Sequence, residues 1–268
     1  MFSQLLTTAY DPALSHPHRT LAVETLSVWL IRTRANPSLL APFPAALDAL
    51  CDVFLLYFND ASSGLAKPLK DLLTNTVSLA AQLQVLPAVV RTLAIKGLVG
   101  VAVGEGKKGG YYALDTAIRK GVDARWVFEQ AGGAQKLVRE MLSNLVDRDL
   151  GPSIGKALVA LLVARRKQLL EQGKGDQEWL EIWEKPMSDA LRNEDLRQRV
   201  VMYALPGVIK SSLGCFRALV RGLGLGEDGS ANGINDQDLG VLLCCLKLGK
   251  ELGFVGEIGK LSIPPRVG

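Results

Sequence analysis

Apolar residues recur at intervals of three and four along almost the whole chain, and this is the spacing of one face of an α-helix. In residues 45–58, for example, Leu50, Phe54 and Phe58 form one such stripe. The only strand-like run is at residues 98–103, and no alternating pattern or hairpin signal accompanies it. The sequence therefore predicts an all-α fold.

The predicted helices come in pairs that start about 40 to 49 residues apart, near Ala45, Val85, Ala134 and Asp176. HEAT and armadillo repeats have this period, and neighbouring pairs must stack because each pair has one face too apolar to leave in water. We expect an armadillo/HEAT-like α-solenoid of stacked antiparallel helix pairs, and an irregular all-α globule is the alternative. The solenoid is predicted as one segment over residues 1–255, followed by a tail over residues 256–268.

Glycine is dense between residues 97 and 110, which predicts a loop or a break between two helices. Gly104, Gly106 and Gly109 also fit the pattern G-x-G-x-x-G, which in dinucleotide-binding folds follows a strand and opens a helix. The parallel partner strands of such a fold are not visible in the sequence. An enzyme that uses this loop therefore stays an alternative, and we predict no cofactor.

Cysteine and histidine are too few for a convincing metal centre or catalytic set. The chain has 4 Cys, none in a C-x-x-C motif, and 2 His, which are His16 and His18. We expect both histidines in a solvent-exposed turn and the cysteines as buried thiols in a reducing compartment. With only these two histidines, most base-assisted nucleophile mechanisms lack their usual base, so we predict a protein that is not an enzyme, without catalytic residues or metal.

Nothing in the sequence indicates a membrane protein. There is no stretch of 18 uninterrupted apolar residues, and the first 18 residues lack the basic segment and apolar core of a signal peptide. A soluble cytosolic or nuclear protein remains, and of the two we predict the cytoplasm.

The basic residues fall into a few clusters. The formal net charge is only +4, which permits a nucleic-acid partner without requiring one. Contacts to phosphates give affinity and salt dependence without sequence specificity, whereas cations near helix ends are often simply solvated. The predicted nucleic-acid contacts are Lys107, Lys108, Arg119, Lys120, Arg165, Arg166 and Lys167.

Three stretches occur in a familiar order: residues 53–60 (VFLLYFND) with 68–73 (PLKDLL), residues 107–114 (KKGGYYAL), and residues 203–210 (YALPGVIK). Residues 141–155 (MLSNLVDRDLGPSIG) lie between the second and the third. This order, over roughly residues 45–254, resembles the THADA family of large α-solenoid proteins. Members of that family act as non-catalytic subunits of a tRNA 2′-O-ribose methyltransferase.

The resemblance implies a scaffold that assists methylation of the tRNA anticodon loop. It implies two partners, tRNA and a tRNA 2′-O-methyltransferase subunit that binds S-adenosylmethionine. Family members are several times longer and carry an Arg-Arg-Ser-Ala-Gly stretch that this chain lacks, so we expect a partial chain. The alternative is a general protein-interaction α-solenoid without an RNA role. Trp179 and Trp183 could belong to its docking surface or to the core.

Overall fold

A computed structural model describes residues 2–11, 13–33, 43–58, 66–101, 107–211, 236–251 and 253. Every regular element in these ranges is a helix, so the prediction of an all-α fold is confirmed. No helix in the described ranges is both long enough and apolar enough to span a membrane.

The chain divides into two compact units. Unit 1 comprises Met1–Gly100 and Gly106–Val122, and unit 2 comprises Val101–Glu105 and Asp123–Gly268. One solenoid can contain both units, so the single segment over residues 1–255 stays a prediction. The predicted tail over residues 256–268 lies outside the described residues.

Unit 1 contains six of the described helices, and their apolar stripes form its core. They are α1 (Phe2–Tyr10), α2 (His16–Thr33), α3 (Phe43–Phe58), α4 (Ala66–Gln82), α5 (Leu86–Val101) and α6 (Lys108–Arg119). Helix α2 packs against α1 and α4, while α3 packs against α4 and α6. Leu26, Leu30, Phe54 and Leu72 are fully buried between these helices. Burying such side chains stabilises the unit by about 1.5–3 kcal/mol for each residue.

The predicted break between two helices is observed within the glycine-dense segment, but it is narrower than residues 97–110, because helical structure covers both ends of the segment. Helix α5 continues to Val101 and α6 already begins at Lys108. A Cβ atom added at Gly97 would lie 2.7 Å from the carbonyl oxygen of Gly110, so α5 and α6 approach backbone to backbone. This close approach requires glycine at the crossing and outweighs the low helix propensity of that residue.

The two histidines lie in a helix rather than in the predicted turn. Helix α2 begins at His16, because Pro17 is compatible with a first turn and Ser15 can cap the helix start. The Ser15 Oγ atom is 2.6 Å from Nδ1 of His18, and both His16 and His18 are exposed, as predicted.

Unit 2 contains the remaining described helices. They are α7 (Ala124–Gln130), α8 (Ala134–Ser143), α9 (Gly151–Glu171), α10 (Asp176–Arg192), α11 (Glu194–Arg199), α12 (Leu205–Ser211) and α13 (Asp236–Glu251). A 3₁₀ turn at Asn144–Val146 follows α8, and a π-helical turn at Val200–Ala204 joins α11 to α12. Helix α10 packs against α8 and α9, and α9 packs against the π-helical turn. Asp123 caps α7, since its side chain accepts a 2.8 Å hydrogen bond from the Arg125 backbone N–H.

The tryptophan pair belongs to the core of unit 2. Trp179 and Trp183 are both fully buried, with ring centroids 5.3 Å apart in an edge-to-face arrangement. The Trp179 indole N–H donates a 2.8 Å hydrogen bond to the Leu162 carbonyl, which ties α10 to α9. The core interpretation of this pair is therefore confirmed, and the pair does not form a docking surface.

Two of the four cysteines can be placed. Cys51 and Cys245 are buried, as predicted. Cys215 and the side chain of Cys244 lie outside the described residues.

Candidate nucleic-acid interface

The basic residues predicted on α6 lie at opposite ends of this helix. Lys107 and Lys108 are at its start, whereas Arg119 and Lys120 are at its end. Because α6 has 12 residues, the two ends are about 18 Å apart. A single phosphate cannot contact both clusters. Arg119 also forms a 2.8 Å ion pair with Asp115, so α6 carries its freer positive charge at the start.

The basic cluster on α9, in unit 2, splits into three different environments. The guanidinium of Arg166 donates to both carboxylate oxygens of Asp176, at 2.8 and 3.0 Å, and to the Ser211 carbonyl at 2.7 Å. It also lies 5.6 Å from the ring centroid of Trp179. These contacts join α9, α10 and α12, so the geometry favours a structural role for Arg166 over a nucleic-acid contact.

The neighbours of Arg166 differ from it and from each other. The Arg165 Nη1 atom is buried without a hydrogen-bond partner among the described residues. Its side chain lines a surface cavity of about 400 Å³ together with Phe128 and Glu181. The side chain of Lys167 is 79 % exposed and lies 3.8 Å from the Glu171 carboxylate. Of the three predicted residues, Lys167 alone presents a largely exposed ammonium group to solvent.

Lysines occupy the starts of two helices in unit 1. Lys67 and Lys70 lie in the first two turns of α4, and Lys107 and Lys108 lie at the N-cap and first position of α6. Neither helix has an acidic residue in its first turn, and the Lys107 side chain makes no capping hydrogen bond. Cations oppose the helix dipole at this end, so this arrangement does not favour helix stability and concentrates positive potential.

Aromatic rings bring the two helix starts together. The Lys70 Nζ atom lies 5.5 Å from the ring centroid of Tyr112 and 5.8 Å from that of Phe58. The two rings are themselves 5.2 Å apart. Lys108 precedes Tyr112 by four residues on α6, which places both on one face of the helix. We call Lys67, Lys70, Lys107 and Lys108, with the rings of Phe58 and Tyr112, the lysine–aromatic cluster.

Burial and two nearby carboxylates favour the neutral form of the Tyr112 phenol. Partial burial raises the pKa of the Tyr112 phenol above its ordinary value of 10.0, and the carboxylates of Asp115 and Asp71 raise it further. These two carboxylates are the negative charges that act on Tyr112, and Asp115 is already paired with Arg119. Lys70 beside the partly exposed Tyr112 ring, with Lys108 one helical turn before Tyr112, can bind phosphate groups next to a ring on which a base can stack.

Sequence reasoning identified Lys107 and Lys108 but missed Lys67, Lys70 and Tyr112 as members of one cluster. A signal was available, because residues 65–70 contain two lysines and no acidic residue. The contact between Lys70 and Tyr112 links residues that are 42 positions apart, and only the packing of α3, α4 and α6 creates it.

The stretches that carried the family resemblance pack against each other in pairs. In unit 1, Phe58 and Lys70 of the first stretch contact Tyr112 of the second. In unit 2, Gly155 of residues 141–155 lies directly against Tyr203 of the third stretch. The stretches therefore share a structural role at the helix crossings of their own units.

The glycine motif lies only partly within the described residues. Gly109 is buried inside the first turn of α6, whereas Gly104 and Gly106 lie outside the described residues. Among the described residues, no three His, Cys, Asp or Glu side chains are grouped so that they could hold a metal ion.

Comparison with known families gives one match. Residues 179–265, from α10 through α13 and beyond, match the family described as Trm732, TPR repeats. No curated protein and no solved structure matches the chain. The match agrees with an all-α repeat architecture and associates the chain with a subunit related to tRNA modification. Together with the ordered stretches, the match supports a relationship of the chain to the Trm732/THADA-like family.

Proposed function

We propose that this chain is a non-catalytic scaffold that assists 2′-O-ribose methylation of the tRNA anticodon loop by a partner methyltransferase in the cytoplasm. The observation that carries the proposal is the match of residues 179–265 to the Trm732 repeats. The partner supplies the catalytic groups and S-adenosylmethionine, and this chain supplies a surface of stacked helices that holds the tRNA.

The lysine–aromatic cluster is the surface of unit 1 best suited to the tRNA. Its four lysines neutralise phosphates without reading sequence, which is appropriate for a scaffold that positions RNA for another protein. Lys167 adds an exposed cation in unit 2. Arg166 is left out of this surface because its donors are used within the protein.

The test is reconstitution of methyl transfer. The partner methyltransferase, the tRNA and S-adenosylmethionine are combined with and without this chain, and the initial rate of methyl transfer is measured. We expect a higher rate with the chain present, no methylation by the chain alone, and co-purification of the two proteins. Absence of both stimulation and co-purification would refute the proposal.

A second candidate is a protein-interaction repeat without an RNA role. It is favoured by the exposed apolar pair Ile95 and Val99 on one face of α5, which are 47 % and 70 % exposed. Binding of a protein partner that is insensitive to salt, without any affinity for tRNA, would favour this candidate over the scaffold.

A further inference from the structure

A surface cavity of about 380 Å³ lies beside the π-helical turn of unit 2. Its walls include Arg148, Gln198, Arg199, Met202 and Tyr203. We propose that this cavity holds one unpaired nucleotide of a bound RNA. The proposal rests on the proposed tRNA scaffold function, since it names a second place where the RNA would be held.

The wall of the cavity is fixed by close packing. The Tyr203 ring lies over Gly151 at the start of α9, so closely that a Cβ atom there would be 2.6 Å from ring atom Cε2. The Arg199 guanidinium donates a 2.7 Å hydrogen bond to the Leu145 carbonyl of the 3₁₀ turn. The ring of Tyr203 and one end of Arg199 are therefore held in place before any ligand arrives. A π-helical turn is rare and is frequently found at functional sites.

Three polar groups of the cavity have no hydrogen-bond or ionic partner within the described part of the chain. They are the Arg148 guanidinium, the Gln198 amide and the Tyr203 hydroxyl. Arg148 and Gln198 are exposed, and Met202 beside them is 58 % exposed, which is high for an apolar side chain. Such a surface offers donors, acceptors and an apolar face together.

The acidic residues at the cavity have a separate structural explanation. Glu194 and Asp195 form the first turn of α11, where carboxylates are favoured by the helix dipole. The Asn193 side chain caps this turn by accepting a 3.0 Å hydrogen bond from the Asp195 backbone N–H. The helix thus accounts for the carboxylates, whereas no contact within the described residues accounts for Arg148, Gln198 and the Tyr203 hydroxyl.

These groups match the chemistry of an unpaired nucleotide. A guanidinium binds phosphate and stacks on a base, an amide pairs with base edges, and Tyr and Met provide surface against which a base can lie. The cavity volume falls within the range of small-ligand sites. A continuous duplex cannot place a stacked base into such a cavity, so the site selects single-stranded loops over double helices.

The test measures binding of two RNA probes to the full 268-residue chain: a short single-stranded oligonucleotide and a duplex with the same number of phosphates. We expect Arg148→Ala to weaken oligonucleotide binding about tenfold. Arg139→Ala removes an exposed arginine of α8 that does not line this cavity, and we expect a change below about twofold. Gln198→Ala and Tyr203→Phe each remove one polar group, and we expect each to weaken the same binding while circular dichroism confirms folding.

Several outcomes would overturn the inference. Equal losses of oligonucleotide affinity for Arg148→Ala and Arg139→Ala would show only a general effect of charge. Equal affinities for the oligonucleotide and the duplex would contradict the proposed preference for single strands. If Arg148→Ala reduces co-purification of the methyltransferase while oligonucleotide binding is unchanged, the cavity is a protein contact instead. Stimulation of methyl transfer that survives Arg148→Ala would overturn this inference alone, whereas absence of both stimulation and co-purification with the unaltered chain would refute the scaffold function.

Discussion

The backbone of Gly155 lies directly against the backbone of Tyr203. A Cβ atom at Gly155 would collide with the Tyr203 carbonyl oxygen and would lie 2.8 Å from its carbonyl carbon. Neither neighbour is the flexible end of a side chain, so the crossing of α9 and the π-helical turn cannot relax cheaply. This contact explains why glycine stands inside a 21-residue helix.

Gly155→Ala should therefore destabilise unit 2 even though alanine favours helices. Overpacking of this kind costs about 1–3 kcal/mol or more in the free energy of unfolding. Urea unfolding followed by circular dichroism measures the change. The control is Gly240→Ala in α13, where the added Cβ would have only a flexible Arg197 nitrogen at 3.9 Å. We expect that control to be stabilising by about 0.5–1 kcal/mol. Unchanged stability of Gly155→Ala would contradict the observed crossing.

The crossing of α5 and α6 predicts an unequal pair of effects in unit 1. An added Cβ would lie 2.7 Å from the opposite carbonyl oxygen at Gly97 but 3.0 Å at Gly110. We expect Gly97→Ala to lower the unfolding midpoint more than Gly110→Ala. The double variant should lower the unfolding midpoint by less than the sum of the two single effects, because one separation of the helices relieves both clashes. Additive losses would indicate two independent sites.

The contacts of Arg166 predict a loss of stability that a remaining positive charge does not restore. Arg166→Lys keeps the charge but loses the two-pronged bond to Asp176 and the bond to the Ser211 carbonyl. The ion pair is partly buried, with side chains 23 % and 33 % exposed, so we expect a cost of about 1–3 kcal/mol.

The matched control for this arginine is its neighbour on α9. Lys167→Ala removes an exposed charge and should change stability by less than about 0.5 kcal/mol. Thermal unfolding of the three proteins provides the comparison. If Arg166→Lys unfolds like the unaltered chain yet binds tRNA more weakly, Arg166 is a nucleic-acid contact after all.

Tyr112 predicts a loss of stability at high pH. Its pKa is raised in the folded chain, chiefly by burial and then by Asp115 and Asp71. Below the ordinary value of 10.0 the phenol is protonated in both folded and unfolded chains, so its contribution is fully present there. As the pH rises further, the unfolded chain releases this proton first, and the free energy of unfolding falls.

Tyr112→Phe removes the ionisable group and keeps the ring. We expect the stability difference between the unaltered chain and Tyr112→Phe to be constant below pH 10. Above pH 10 it should shift in favour of the variant, as measured by urea titration at several pH values. A difference that does not vary across this range would show that the folded and unfolded chains share one pKa for Tyr112.

The sequence could predict what depends on local pattern. Spacings of three and four located helices close to their observed positions, and a cap such as Asp123 is equally local because it involves only the next two residues. The extent of the break between α5 and α6 was misjudged, because the low helix propensity of Gly97 and Gly110 favours a loop there, while the close approach of the two helices favours a helix. No rule based on neighbouring residues alone predicts that two helices approach each other so closely.

The candidate site also depends on contacts that local sequence patterns do not predict. Residues 165–167 form a uniform basic run in the sequence, yet Arg166 is held by Asp176 and by Ser211, which is 45 residues away. The basic residues at the start of α6 form a similar run in the sequence. In the structure, however, the approach of Lys70 to Tyr112 places a further cation and an aromatic ring beside them. Tertiary contacts over tens of residues decide which basic side chains stay available to a ligand.

Lys108 gives the last prediction, because at this position stability and binding should change in opposite directions. Lys108→Glu places a carboxylate at the start of α6, where the helix dipole favours it, so we expect a gain of about 0.3–1 kcal/mol in unfolding free energy. The same change removes a phosphate contact and should weaken tRNA binding. The slope of log affinity against log salt should become shallower by about 1.

The matched control is Lys120→Glu at the far end of α6, which makes the same charge change about 18 Å away and should leave the slope closer to its original value. Gel-shift titrations at several salt concentrations measure the slopes. An unchanged slope for Lys108→Glu, or equal changes for both variants, would exclude the start of α6 as a tRNA contact.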